Sequence, residues 1–235
     1  MEAGSQGVYG LGKATVALDG FGTNLILFEM ILMWYCAFLH GVNIPGGQKV
    51  SLTDLPKALS NLGGGFQYRE SIRNSGNLLF TGPGNGPPSS LQALIQKRLG
   101  IKCVVKTLPE LEGYIRKGEQ LFGTAPPSHV QKSGAIWEIG LVLLAEPLPK
   151  NLPDNAWCYS LKNAQSICLL DSSTVLVLKK SASPRGSRIM YGSAVLNPPQ
   201  RRLRHHGISA DPATSRSLGT IRDVLGATKV AGGSA

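Results

Sequence analysis

Trp34-Tyr35-Cys36-Ala37-Phe38-Leu39-His40-Gly41-Val42-Asn43 opens a stretch, running on to Phe80, whose reading decides the fold. Tyr35 to Leu39 is aromatic and apolar and is bounded by Gly41, the pattern of a buried strand. A Gly-rich loop bearing a lysine follows, Ile44-Pro45-Gly46-Gly47-Gln48-Lys49. Leu52, Leu55, Leu59 and Leu62 then recur on one helical face, which places a helix over Asp54 to Leu62 with Gly63-Gly64-Gly65 ending it. Pro56 is tolerated there because it falls in the first turn. Tyr68 to Ile72 and Leu78 to Phe80 flank the turn-forming Arg73-Asn74-Ser75-Gly76-Asn77, which predicts a hairpin.

Downstream, Ser89-Ser90 caps a helix carrying Leu91, Leu94, Ile95 and Leu99 and closed by Gly100. Ile101 to Lys106 reads as a strand, and Leu108 to Gly118 as a helix with Pro109 in its first turn. The order β-α-β-β-α-β-α is a split βαβ, or ferredoxin-like, arrangement. Gly123 to Gly134 is linker-like. A second strand-first half then starts at Ile136 to Leu144, adds a hairpin over Gln165 to Leu178, and ends in a helix over Ser215 to Leu225. The expected fold is therefore α+β, two ferredoxin-like halves packed together: residues 33–122, a linker over 123–135, and residues 136–235. Two strand-first halves hint at an old duplication. Residues 1–32 read as an atypical extension that need not be native, with Met33 resembling a natural start.

The totals narrow the function classes. A chain of 235 residues with 42% hydrophobic content buries a substantial core. The net charge of +10 is unevenly placed: from Lys179 onward ten Lys or Arg face only Asp211 and Asp223. A basic end attracts polyanions, although charge runs are usually just solvated surface. Cys36, Cys103, Cys158 and Cys168 are scattered without CxxC or zinc spacing, so neither a metal site nor a disulfide framework is expected. The default compartment is the reducing cytoplasm. Leu25 to Leu39 is too short and too interrupted, by Glu29, for a spanning helix, and no secretory signal layout precedes it.

With the elements placed, the motifs resemble those of the domain of unknown function 1697 family, small and mostly bacterial proteins. Leu39-His40-Gly41-Val42-Asn43-Ile44-Pro45-Gly46-Gly47-Gln48-Lys49 is similar to the family's L-R-G-I-N-V-G-G-x-N-K. Asn74-Ser75-Gly76-Asn77-Leu78-Leu79-Phe80 is similar to Q-S-G-N-V-V-F, and Thr214-Ser215-Arg216-Ser217-Leu218-Gly219-Thr220-Ile221 echoes T-x-R-N-W-x-T-V. Ser187-Arg188-Ile189 echoes a preceding S-K-L. The resemblance extends from Met33 to about Ala227 and implies two ferredoxin-like halves but no reaction. His40, Pro45, Ser217 and Leu218 depart from the family pattern and put any shared function at those positions in doubt.

Loops of the Gly41–Lys49 kind turn backbone N–H groups toward a phosphate while a lysine adds charge. The plainer alternative is a tight connection whose Asn43 and glycines take left-handed conformations. The candidate ligand-binding residues are Asn43, Gly46, Gly47 and Lys49 on that loop and Arg73, Asn74, Ser75 and Asn77 on the hairpin. Arg216 and Thr220 join them at the last helix, where Thr214 is a candidate N-cap. Convergence of these three groups in one cleft is an expectation for the structure to test. His40 is a weak catalytic candidate at a strand end, and His205-His206 beside Arg201-Arg202-Leu203-Arg204 reads as exposed basic surface. No nucleophile elbow, metal triad or cofactor fingerprint is present, and no cofactor is expected. Three functions stay open: a binding protein for a phosphate-bearing or nucleotide-like ligand, a transferase or hydrolase of small molecules, and a nucleic-acid-associated protein using the basic C-terminal section. Oligomeric state is left undetermined.

Overall fold

A computed structural model describes residues 13–14, 30–43, 48–73, 76–122, 136–144, 147, 159–161, 165–181 and 212–232. The chain is α+β. Its first sheet contains β1 (Lys13–Ala14), β2 (Met30–Leu39), β3 (Gln67–Ile72), β4 (Asn77–Pro83) and β5 (Cys103–Thr107). β4 and β5 flank β2, β3 lies outside β4, and β1 pairs with the start of β2. α1 (Leu55–Leu59) joins β2 to β3, α2 (Pro88–Leu99) joins β4 to β5, and α3 (Leu108–Phe122) follows β5 directly.

Period-2 alternation on β2 explains its unbroken apolar run. Tyr35, Ala37 and Leu39 pack with Leu78, Phe80, Cys103 and Val105 beneath Leu55, Leu59, Leu91 and Ile95 of α1 and α2. Cys36 and Phe38 point the other way and join Leu79 and Val104 in a second core. A strand buried on both faces has no polar side to show. The Tyr35 hydroxyl reaches Pro83 O at 2.6 Å and Gly86 O at 2.8 Å, so the Gly/Pro loop is tied to the same strand.

The second sheet contains β6 (Ile136–Leu144), β7 (Tyr159–Leu161), β8 (Gln165–Asp171), β9 (Thr174–Ser181) and β10 (Pro212–Ser217), in the order β10-β6-β9-β8-β7. α4 (Leu218–Gly232) follows β10. The order β10-β6-β9-β8 repeats β5-β2-β4-β3, so the expected ferredoxin-like strand order occurs twice, antiparallel throughout. Each half adds one helix after its last strand. α3 and α4 pack on each other, and each also touches the opposite sheet, α3 at β9 and α4 at β3. Leu108, Leu111, Ile115, Leu218, Ile221, Val224 and Leu225 therefore share one core with Leu141, Leu143 and Leu176.

Several boundaries differ from those read in the sequence. The first helix covers only Leu55–Leu59, and Asp54 makes no side-chain cap bond; Gly63, Gly64 and Gly65, all at positive φ, turn the chain soon afterwards. α2 begins at Pro88 rather than behind a Ser89–Ser90 cap. Residues 212–217 form a strand, so Thr214 is not an N-cap and Arg216 is not helical. Pairing with Leu141 to Leu144 extends the backbone there, and tertiary pairing overrides local propensity. The linker expected over 123–135, residues 201–206, and Gly46, Gly47, Asn74 and Ser75 lie outside the described residues.

Candidate functional site

The end of β2 is where the sequence motifs gather. Gly41 and Asn43 both have positive φ, at 62° and 53°. Asn43 N donates to Gln48 O at 2.9 Å and Gln48 N to Gly41 O at 3.0 Å. The Asn43 side chain closes the base a second time: Nδ2 donates to Val50 O at 3.2 Å, and Oδ1 accepts from Val50 N at 3.0 Å. Asn43 thus holds the loop shut, as turn asparagines commonly do. Lys49 is exposed beside this closure.

On one side of β2 the β3–β4 turn docks through Leu39 N, which donates to Gly76 O at 2.8 Å. Gly76 has φ 73°, and a Cβ there would overlap Val42 Cγ2 and stand 2.9 Å from Leu39 Cβ, so only glycine fits. The motif loop and the hairpin turn are therefore pressed together. Asn77, fully buried, donates from Nδ2 to Ile72 O at 2.9 Å. Its Oδ1 accepts from Arg216 Nε, which comes from a strand 139 residues away.

Arg216 is the hub of this junction. Its Nη1 donates to Thr214 Oγ1, its Nη2 to Leu39 O at 3.2 Å, and its guanidinium lies 5.7 Å from the Phe38 ring centroid. Burial lowers Arg216 to about 10, with the Cys36 thiol acting the other way, so it stays charged at neutral pH. Burial also pushes Cys36 far above the usual thiol range. Next to it Ser217 Oγ accepts from Thr220 N at 3.2 Å and starts α4. Arg73, at φ 57° in the turn, donates from Nη1 to Thr220 Oγ1 at 3.4 Å and pairs with Asp223.

A second junction mirrors the first. Lys106 precedes the cap of α3 as Arg216 precedes the cap of α4. Thr107 N and Oγ1 donate to Glu110 Oε2 at 2.7 and 2.8 Å, a reciprocal cap with Glu110 N returning to Thr107 Oγ1 at 3.4 Å. Arg216 grips the β3–β4 turn of the first half; Lys106 grips the β8–β9 turn of the second. Its Nζ donates to Ser173 Oγ at 2.9 Å and lies 3.4 Å from Asp171 Oδ2. The Tyr114 hydroxyl donates to the same Oδ2, and Asp171 Oδ1 accepts from Ser173 N at 2.7 Å.

Of the residues singled out from sequence, the fold brings Arg73, Asn77, Arg216 and Thr220 into one cluster. The Asn43 loop flanks it through Val42, and Lys49 makes no described contact with it. His40 is exposed, and its backbone N donates to Lys102 O at 2.8 Å. Sequence reasoning missed the Lys106–Tyr114–Asp171–Ser173 group. Asp171-Ser172-Ser173 looked only like a hairpin turn, and Lys106 only like the end of a strand. The one available signal was positional: a cation one residue ahead of a helix cap in each half. Among the described residues no group of His, Cys, Asp and Glu is placed to hold a metal ion, and no helix is long and apolar enough to cross a membrane.

Residues 33–129 match the sequence model of a family described as protein of unknown function (DUF1697). The match starts at Met33 and takes in the Leu39–Lys49 and Asn74–Phe80 motifs; the Thr214–Ile221 segment lies beyond it. No curated protein matches the chain. A solved structure of a conserved bacterial protein from Streptococcus pneumoniae is similar at 19% identity and a TM-score of 0.49, over 84% of this chain and 98% of that one.

Proposed function

We propose that the protein binds a small anionic molecule, phosphate-bearing or nucleotide-like, where the β3–β4 turn meets the β10–α4 junction. One observation carries this reading. Two arginines 143 positions apart by their numbers meet the β3–β4 turn next to the start of α4: Arg73 on that turn bonds Thr220 and pairs with Asp223, and Arg216, two residues ahead of the helix, bonds Asn77. Guanidiniums are the favoured partners of phosphate oxygens, and a helix start adds backbone N–H donors. The Arg73–Asp223 pair is half-exposed, so exchanging that carboxylate for a ligand phosphate costs little. Lys49 stands exposed on the flanking loop as a third charge. In this reading the protein works in the reducing cytoplasm, where buried Cys36 and Cys103 remain thiols.

A thermal-shift screen of the whole chain against inorganic phosphate, nucleotides, sugar phosphates and acyl-CoA tests it. A rise of several degrees with one compound class, lost in Arg73→Ala, is the expected result. No rise with any compound, or a rise that survives both Arg73→Ala and Lys49→Ala, rejects the site. Arg216→Ala is less suited to the test, because it also strips Asn77 of a buried partner.

A further inference from the structure

Before Lys179 the chain is nearly charge-balanced, but the fold collects one group of cations apart from the carboxylates of α3. Glu110, Glu112 and Glu119 all ride on α3, where Glu110 caps the helix and the others meet Arg116 and Arg222. Lys49, Lys57, Lys97, Arg98 and Lys102 gather instead at the opposite face of the first sheet, and all five are exposed. Arg98 Nη1 donates to Ala58 O at 3.4 Å and so lays the end of α2 against α1 next to Lys57. Lys102 immediately precedes β5 beside the end of β2, held by its carbonyl to His40 N. Lys49 sits on the loop between β2 and α1. In residues 41–60 and 96–102 the single carboxylate is Asp54. None of the five cations is in an ion pair among the described residues.

We infer that this α1–α2 pole is a docking surface for the phosphate backbone of a nucleic acid, bound without regard to sequence. The inference stands apart from the small-ligand reading and survives its failure. Cations in the last turn of α2 complement the helix dipole, which accounts for Lys97 and Arg98 but not for Lys49 or Lys102 in connecting segments. Four of the five are lysines, compact charges on flexible stems that suit phosphate oxygens at varied positions. The apolar residues around them, Leu52, Leu94 and Leu99, are partly buried against the core beneath rather than projecting as a wedge into a lipid surface. Base stacking is not required, so binding would rest on counterion release and fall steeply with salt.

The test measures affinity of the full chain for two single strands of about 20 nucleotides and unrelated sequence, across a salt series. Equal affinities and a linear log–log salt dependence are expected. The combined Lys57→Gln, Lys97→Gln, Lys102→Gln variant should lower the slope by about 2, at ~0.7 per lost contact. Lys49 and Arg98 are left intact, the first because it belongs to the small-ligand reading and the second because it bonds Ala58. Arg201→Gln, Arg202→Gln, Arg204→Gln is the comparison for the basic C-terminal section. The inference is overturned by an unchanged slope in the first variant, by no binding at low salt, or by vesicles containing phosphatidylserine competing as well as the oligonucleotides. Unaltered circular dichroism and melting of the variant keep a folding defect from imitating the expected result.

Discussion

At the scale of single residues, Gly76 and Asp171 are informative because each ties a turn to something distant. Gly76 takes a positive φ where an added Cβ would collide with Val42 and crowd Leu39. Gly76→Ala therefore combines overpacking with backbone strain and should destabilise by about 2–4 kcal/mol in urea unfolding. A loss under ~0.5 kcal/mol would mean that the turn does not press on the motif loop as described. Burial by itself would raise Asp171, but the Tyr114 and Ser173 hydrogen bonds and the Lys106 charge outweigh it and hold the carboxyl below its ordinary value. A depressed folded-state value gives stability that is present above about pH 4 and lost as the pH falls through the folded value. Asp171→Asn should accordingly lower stability at neutral pH and flatten the acid limb of the stability curve. An acid limb identical to that of the parent chain would assign the loss to other carboxylates.

At the scale of elements, the two strand-to-helix junctions do equivalent work with different chemistry. The first uses a Thr107–Glu110 reciprocal cap and the second Ser217 on Thr220 N. Glu110→Ala and Ser217→Ala should each cost about 1 kcal/mol, the first by leaving the Thr107 N–H at the cap and the second the Thr220 N–H in the first turn without its side-chain acceptor. Urea titrations of both variants check this. A Ser217→Ala variant as stable as the parent would show that α4 is held by its apolar face alone. Each junction places a cation one residue ahead of the cap and sends it across to the other half's hairpin. The caps therefore fix helices and inter-half clasps together.

At the scale of the whole molecule, the two sheets share one core through α3 and α4. Leu111 is fully buried in it, together with Leu176 of the second half and Ile221 of α4. Leu111→Ala should cost about 2–5 kcal/mol. It should also lower protection from hydrogen exchange in both halves, since α3 and α4 pack in the one core that both sheets share. Circular dichroism and tryptophan fluorescence should report one coincident unfolding transition. Two separated transitions would show that the halves hold their structure independently despite the common core.

The sequence by itself determined the fold class and the place of most elements. Burial on both faces wrote the strands around Tyr35–Leu39 and Leu141–Leu144 into unbroken apolar runs, and turn residues marked both hairpins. It also picked out Arg73, Asn77, Arg216 and Thr220 one by one, because polar residues in turns and near helix starts are locally conspicuous. Only the tertiary structure decided that these four meet, that Arg216 stands on a strand, and that Lys106 clasps Asp171. Those facts depend on pairing between segments far apart in the chain, such as Arg216 with Leu141 and Asn77 with Phe38. Local propensity carries no information about such partners. The basic pole escaped the sequence for the same reason. Summed along the chain, the charges before Lys179 nearly cancel, and only folding brings Lys49, Lys57, Lys97, Arg98 and Lys102 to one pole with Asp54 as the one carboxylate in its segments.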